Sequence, residues 1–275
     1  MRIRVPAPRQ PPLVNASRKP VYWSMPARPL IKALTDAGLG SRRKMTDAIK
    51  QGRVEVNGVP AESFNHPVDP ARDSIFLDGR KVDLSPRRVI VLALNKPEGV
   101  LSTAADDRGR ATVLDILPEK YRKHRLYPVG RLDMDTTGLI LLTNDGDLTY
   151  KLTHPHFEQE KEYLVRTDGP LQPAELRAME KGIELEDGRT APVRVARLRT
   201  GPYRYRVVIH EGRKRQVRRM FEHFGRRVTA LRRVRIGNLL LSDLPEGEVR
   251  PLTNREVKTL LAPQPRPGFS RRGPV

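Results

Sequence analysis

The stretch GRLDMDTTGLILLTNDGDL, Gly130 to Leu148, sets two carboxylates, Asp133 and Asp135, two residues apart and directly before a run of hydrocarbon. An acid at the edge of a core can attack carbon or move a proton, help hold a metal, or merely hold backbone amides in an Asx turn. Paired acids also cleave glycosides, but that chemistry needs carboxyl groups about 5–9 Å apart across a sugar. Residues two apart on one loop are poorly placed for it. For a metal, no third acidic or histidine ligand suggests itself. The spacing by itself leaves nucleophile and turn-holder both standing. A second cluster, EGRKRQVRRMFEHFGRRVTALRRVRIG, carries Arg213, Lys214, Arg215, Arg218, Arg219, Arg226, Arg227, Arg232, Arg233 and Arg235, with Glu222 the one opposing acid inside the helix it predicts. Such density suits a polyphosphate ligand better than a merely solvated face.

The elements that must position these groups follow from the pattern. Leu139 to Leu142 is an unbroken apolar run between Gly138 and Asn144-Asp145-Gly146, which predicts a strand buried on both faces. Arg131, Asp133 and Asp135 then lie on the loop entering it, where polar groups are held rigidly beside a core. Val217, Met220, Phe221 and Phe224 recur at i, i+3, i+4 and i+7, so 213–224 reads as an amphipathic helix with its apolar stripe on the core. Arg213, Lys214, Arg215, Arg218 and Arg219 should therefore face solvent or a substrate groove.

The whole composition agrees with a polyanionic partner. The 275 residues carry 52 Lys plus Arg against 32 Asp plus Glu, a net charge of +20, and at 37% hydrophobic they can still bury a core. With no cysteine, disulfides, thiol nucleophiles and cysteine-based zinc sites are excluded. The histidines are scattered, and His154 and His156 flank Pro155 as in a turn. No signal-peptide core or membrane-length apolar run appears, so a cytoplasmic protein without a membrane partner is expected.

Residues 1–28 and 263–275 are basic, proline-rich and without period, which reads as two disordered arms. Between them, 29–84 reads as a compact unit. PLIKALTDAG predicts a short helix ending at Gly38, and Ser41 caps a second one whose Met45, Ala48 and Ile49 form its stripe. Arg42, Arg43, Lys44 and Lys50 occupy its other faces and Arg53 follows, a basic surface for RNA. VEVNG and DSIFLDGRKV read as strands entering tight turns. The segment AGLGSRRKMTDAIKQGRVEVNG resembles the alpha-L RNA-binding domain, the small module shared with ribosomal protein S four.

After the linker SPRR, residues 89–262 read as a second domain. Its expected elements are a buried strand and a Pro-Glu-Gly turn at VIVLALNKPEG, a short helix over TVLDILPEKY, and a strand at EKEYLVRT. A helix over PAELRAMEKG, strands at 192–199 and 203–210, strands near 227–235 and 247–251, and a last helix TNREVKTLL complete it. The connections are too short for regular βαβ crossovers, so the fold class is α+β with a mostly antiparallel sheet.

NKPEG, GRLDMDTTGLILLTNDGDL, EKEYLV and EGRKRQVRRMFEHFG occur in the order, and at roughly the spacing, of ribosomal pseudouridine synthases of the RsuA/RluB type, which the chain resembles from about 29 to 260. The resemblance implies isomerisation of a specific uridine in ribosomal RNA by a monomer acting on ribosomal RNA or an assembly intermediate; the basic tails and the EKEYLV context favour large-subunit RNA, with small-subunit RNA the alternative. It implies no cofactor and no metal. It also implies Asp133 as catalytic carboxylate, Arg218 as its basic partner, and Tyr163 stacking on the base. Leu231 would wall the pocket, Arg131, Lys214 and Arg215 would bind substrate, and Asp135 would shape the loop. The alternatives are a non-catalytic RNA-binding factor of the same two domains and a glycosidase acting on free nucleosides. The intact Asp133, Tyr163 and Arg218 set speaks against the first, and the basic field against the second.

Overall fold

The computed structural model describes residues 27–85 and 87–263. The expected basic arms at 1–28 and 263–275 fall almost entirely outside the described residues. The chain divides into two compact units, Met1–Pro86 and Arg87–Val275.

The first unit starts with β1 (Arg28–Pro29), α1 (Leu30–Asp36) and α2 (Arg42–Lys50). Gly38 closes α1 at φ +71°, and the Ser41 hydroxyl accepts from the Lys44 amide at 3.0 Å to start α2. β2 (Val54–Val56), β3 (Val59–Pro60), β4 (Pro67–Val68), β5 (Ile75–Leu77) and β6 (Arg80–Lys81) follow. β1 pairs with β4, and the others form an antiparallel sheet ordered β3-β2-β5-β6. Its two tight turns carry Asn57-Gly58 and Asp78-Gly79, all four residues at positive φ, the geometry that matches strand twist. Leu30, Ile31, Leu34, Met45, Ala48, Ile49, Val54 and Ile75 fill the core.

The second unit is an α+β domain. In chain order its elements are β7 (Val91–Lys96), α3 (Glu119–Arg122), β8 (Tyr127–Val129), β9 (Thr137–Thr143), α4 (Gly146–Thr153) and β10 (Lys161–Thr167). Then come α5 (Pro173–Glu180), β11 (Glu184–Leu185), β12 (Gly188–Arg189), β13 (Arg194–Arg197), β14 (Tyr205–Ile209) and α6 (Gln216–Glu222). β15 (Val228–Ile236), β16 (Leu239–Leu240), β17 (Val249–Pro251) and α7 (Asn254–Leu261) close the chain. The main sheet runs β13-β14-β10-β15-β9-β7-β17, with β8 on β9 and β16 on β15. Among the described strands of this sheet, only the β15–β9 joint is parallel.

That joint depends on Gly138. Its φ is +103°, and a Cβ there would lie 2.2 Å from the Arg233 carbonyl oxygen and 2.7 Å from its nitrogen. β7 and β9 are buried on both faces: Leu92, Leu94, Ile140 and Leu142 pack with Tyr163, Val165, Tyr205, Val217 and Phe221. Val91, Ala93, Leu139 and Leu141 pack on the other side with Leu148, Leu152 and Leu260.

Several expected elements change. The helix over TVLDILPEKY shrinks to Glu119–Arg122, because Pro118 lacks an amide proton and disfavours helical geometry at Leu117. Upstream, the Asp115 carboxylate instead accepts from the Thr112 amide and hydroxyl, both at 2.8 Å. The helix at 213–224 is Gln216–Glu222, since Arg215 sits in the left-handed region at φ +50°. The strands at 192–199 and 203–210 are shorter, Arg194–Arg197 and Tyr205–Ile209. α4 and the β11–β12 hairpin were not anticipated. Asn144-Asp145-Gly146 reads as a turn, but Asp145 caps α4 by accepting from the amides of Asp147 and Leu148 at 2.9 and 3.0 Å.

Candidate active site

The loop Gly130–Thr136 is clamped from two sides. On one side lies the turn that follows β7. Lys96, fully buried at the end of that strand, donates from Nζ to the carbonyls of Pro97 and Val100, both at 2.8 Å, and reaches the Met134 carbonyl at 3.4 Å. The Gly99 amide also donates to Met134, at 2.9 Å. Ser102 Oγ donates to the Leu132 carbonyl at 2.9 Å and accepts from the Leu132 amide at 3.1 Å. These bonds fix the backbone on both sides of Asp133.

On the other side is α6. Arg218 donates from Nη2 to the Asp135 carbonyl at 2.6 Å and the Thr136 hydroxyl at 3.4 Å, and from Nη1 to the Val228 carbonyl at 3.0 Å. The Asp135 carboxylate pairs with Arg215 at 3.2 Å and Arg218 at 3.4 Å. Burial lowers the Arg218 pKa, and Asp135 opposes that shift. Two expectations are thereby corrected. Arg218 is not on a solvent or groove face of α6: it is buried, with loop and strand carbonyls accepting from its Nη1 and Nη2 while its buried Nε has no partner. Its direct acidic partner is Asp135 and not Asp133.

The carboxylate of Asp133 itself makes no hydrogen bond or ion pair among the described residues. It opens onto a cavity of about 770 Å³ that is also lined by Arg131, Tyr163, Lys214, Arg215 and Leu231. That volume suits one nucleotide-sized ligand. Arg218 is not part of the lining. Tyr163 and Leu231 arrive from neighbouring strands, with Tyr163 opposite Arg233 and Val165 opposite Leu231 in the β10–β15 register. Both side chains are buried.

Lys161 and Arg233 also line the cavity; the sequence gave Lys161 no role and placed Arg233 only in the general basic field. The available signal for Lys161 was its alternation with Tyr163 on one strand. Arg233 was hidden within a run of arginines. Burial, with help from adjacent Arg233, pushes the Lys161 pKa down to about 8, against the pull of Glu211. Lys96 is likewise brought down to about 8 by burial, opposed by Asp135, Glu98 and Asp133. Its signal was a lysine closing an otherwise apolar strand.

Much of the expected basic field is paired. Arg219 holds Asp187 through two bonds at 2.8 and 2.9 Å, Arg213 holds Glu211 and nearby carbonyls, and Arg235 holds Glu160 and Glu162. Lys214 and Arg215 stay exposed at the cavity rim. In the first unit Arg42, Arg43, Lys44 and Lys50 stand exposed on α2, whereas Arg53 is engaged by Asp78 at 2.6 and 2.7 Å. Among the described residues no cluster of three His, Cys, Asp or Glu could hold a metal, and no helix is long and apolar enough to cross a membrane.

Comparison with known proteins adds independent information. Residues 90–223 match the family described as RNA pseudouridylate synthase, and residues 28–73 match the S4 domain. The chain is 43% identical over 238 residues to ribosomal large subunit pseudouridine synthase B of Bacillus subtilis, covering 85% of this chain and 95% of that protein. It is 41% identical over 237 residues to the protein of the same name from Vibrio cholerae, covering 84% and 73%. A crystal structure of a pseudouridylate synthase superposes with a TM-score of 0.60 at 32% identity, covering 85% of this chain and 99% of that one.

Proposed function

The chain belongs to the RNA pseudouridylate synthase family, and from that premise we propose that it isomerises a uridine in large-subunit ribosomal RNA to pseudouridine. The names carried by the Bacillus and Vibrio relatives support ribosomal RNA of the large subunit as substrate. The reaction breaks the bond between C1′ and N1, turns the base, and joins C5 to C1′.

Asp133 is the group that acts on the ribose, as a nucleophile at C1′. The observation that carries this reading is a carboxylate without a partner, on a loop whose backbone is fixed by Lys96, Gly99, Ser102 and Arg218, open to a cation-rimmed cavity. A carboxylate that merely held a turn would be occupied, as Asp135 is. Tyr163 forms the face on which the base stacks, and Leu231 closes the wall behind it. Arg131, Lys214 and Arg215 meet the phosphates beside the target. Arg218 is a positioning residue: it acts through Asp135 and the loop carbonyls. A uridine in a duplex cannot reach Asp133, so the base is flipped out at a cost of about a few kcal/mol, offset by the basic surface. The first unit, with its exposed α2 cations, serves as the RNA-holding module. The protein works as a monomer in the cytoplasm.

Ribosomal RNA carrying tritium at uridine C5 tests the proposal, since the label enters water as C5 joins C1′. Release from large-subunit RNA, with pseudouridine mapped at a discrete site, is expected. RNA binding without release would make the chain an assembly factor, and release only from small-subunit RNA would move the substrate.

A further inference from the structure

The inner wall of the cavity carries two cations that the reading above does not use. Lys161 lies on β10, two residues before Tyr163, and Arg233 on β15 is the cross-strand partner of Tyr163. Arg233 is 3% exposed. Its Nε donates to the Leu139 carbonyl at 2.7 Å, its Nη1 stands 3.5 Å from the Tyr163 hydroxyl, and its buried Nη2 has no partner. Lys161 Nζ donates to the Gln159 carbonyl at 3.0 Å. Among the described residues no carboxylate lies within ion-pair distance of either. Glu211, whose charge acts on Lys161, is already held by Arg213, Gln216 and the Ala191 amide. Two cations on one cavity wall, neither with an acidic partner, call for an anion.

Resting on the proposed isomerisation, we propose that Arg233 and Lys161 form the floor that holds the uracil ring by its carbonyl oxygens while it is detached from ribose. The bond bookkeeping requires such a species. When C1′–N1 breaks, its electron pair leaves with the base, and a carboxylate oxygen of Asp133 bonds to C1′. The detached uracil is a monoanion, its charge spread over N1, O2 and O4. The C5=C6 pair then bonds to C1′ and expels Asp133; the C5 proton is lost to solvent and N1 takes one up. Nothing is gained or lost overall. Fixed cations aimed at charge that develops only during reaction lower the barrier without reorganising. Depth selects the base over a phosphate, because phosphates remain with the RNA strand at the mouth, while Arg233 sits beside the Tyr163 hydroxyl. A Lys161 pKa brought down to about 8 still leaves the ammonium mostly charged at neutral pH.

The test compares Arg233→Met, Lys161→Met and Arg233→Lys with the wild-type full chain in single turnovers at saturating RNA. One RNA carries uridine at the target and another carries 5-fluorouridine, and consumption of the target nucleotide is followed. Each methionine variant should lose about a hundredfold in rate on uridine and keep its RNA affinity, and Arg233→Lys should retain part of the rate that Arg233→Met loses. Fluorine stabilises the departing uracil anion, so the loss should shrink by about tenfold on 5-fluorouridine. A merely structural fault slows both RNAs alike. Thermal melts accompany every variant; should Arg233→Met fail to fold, Lys161→Met, which is only partly buried, carries the same comparison. Wild-type rates in both variants would overturn the proposal, as would equal losses on the two RNAs, or a loss confined to RNA affinity, which would mark a phosphate contact. A wild-type chain that forms no pseudouridine would instead sink the underlying function.

Discussion

Asp133 is available for chemistry because its carboxylate is left alone, whereas Asp135 is spent on Arg215 and Arg218. Spacing alone could not separate the two, and only the resemblance gave them different roles, since the difference comes from Arg215 and Arg218, some 80 positions further along the chain. The motif NKPEG was legible as a turn, but the cage that its lysine makes with the Asp133 loop was not. Lys96→Met should cost about 2–4 kcal/mol of stability, because it leaves buried carbonyls unpaired. It should also slow turnover by loosening the loop; a urea melt and a turnover assay check both. The protonation of this lysine has a sign that can be tested. Lys96 binds its proton at about 8 when folded, against 10.5 for an ordinary lysine, so the unfolded chain binds more protons between those values. Its contribution therefore makes the unfolding free energy rise with pH across that window, and the rise should be smaller in Lys96→Met. An identical slope in the two proteins would contradict the buried, caged ammonium.

At the scale of elements, the site depends on a parallel joint between β9 and β15 in a sheet that is otherwise antiparallel. Gly138→Ala should lose at least about 2 kcal/mol by urea unfolding, since alanine at positive φ is strained and its Cβ would meet Arg233 backbone. A stability within error of wild type would mean that the joint can slide. β9 was readable because a hydrocarbon run has one explanation, a strand covered on both faces. The helix expected over 112–121 was misread because its apolar spacing was taken ahead of Pro118, and α4 was missed because its cap, Asp145, lies inside a turn signature. α6 was read too long because nothing local announces that Arg215 turns left-handed. The burial of Arg218 was not foreseen because an arginine in a basic run looks like surface. Arg218→Met should therefore lower both the melting temperature and turnover at saturating RNA, with RNA affinity little changed. Weaker RNA binding with normal turnover would return it to the basic face.

For the molecule as a whole, affinity and chemistry are assigned to different units. A chain beginning at Arg87 should stay folded by circular dichroism yet bind ribosomal RNA more weakly. Its binding should also depend less steeply on salt, because the exposed α2 cations are gone. Unchanged affinity and salt slope would assign RNA binding to the second unit alone. The central claim is that one free carboxylate in this basic protein turns uridine into pseudouridine. The most direct measurement is pseudouridine formed per enzyme at saturating large-subunit ribosomal RNA by wild type, Asp133→Asn and Asp135→Asn, with a melt for each. Wild type should convert a discrete uridine. Asp133→Asn should bind RNA and melt normally yet form none, because the amide keeps the shape but not the reactive charge. Asp135→Asn should keep substantial turnover at some cost in stability. Appreciable conversion by Asp133→Asn, or equal losses from the two substitutions, would contradict the claim.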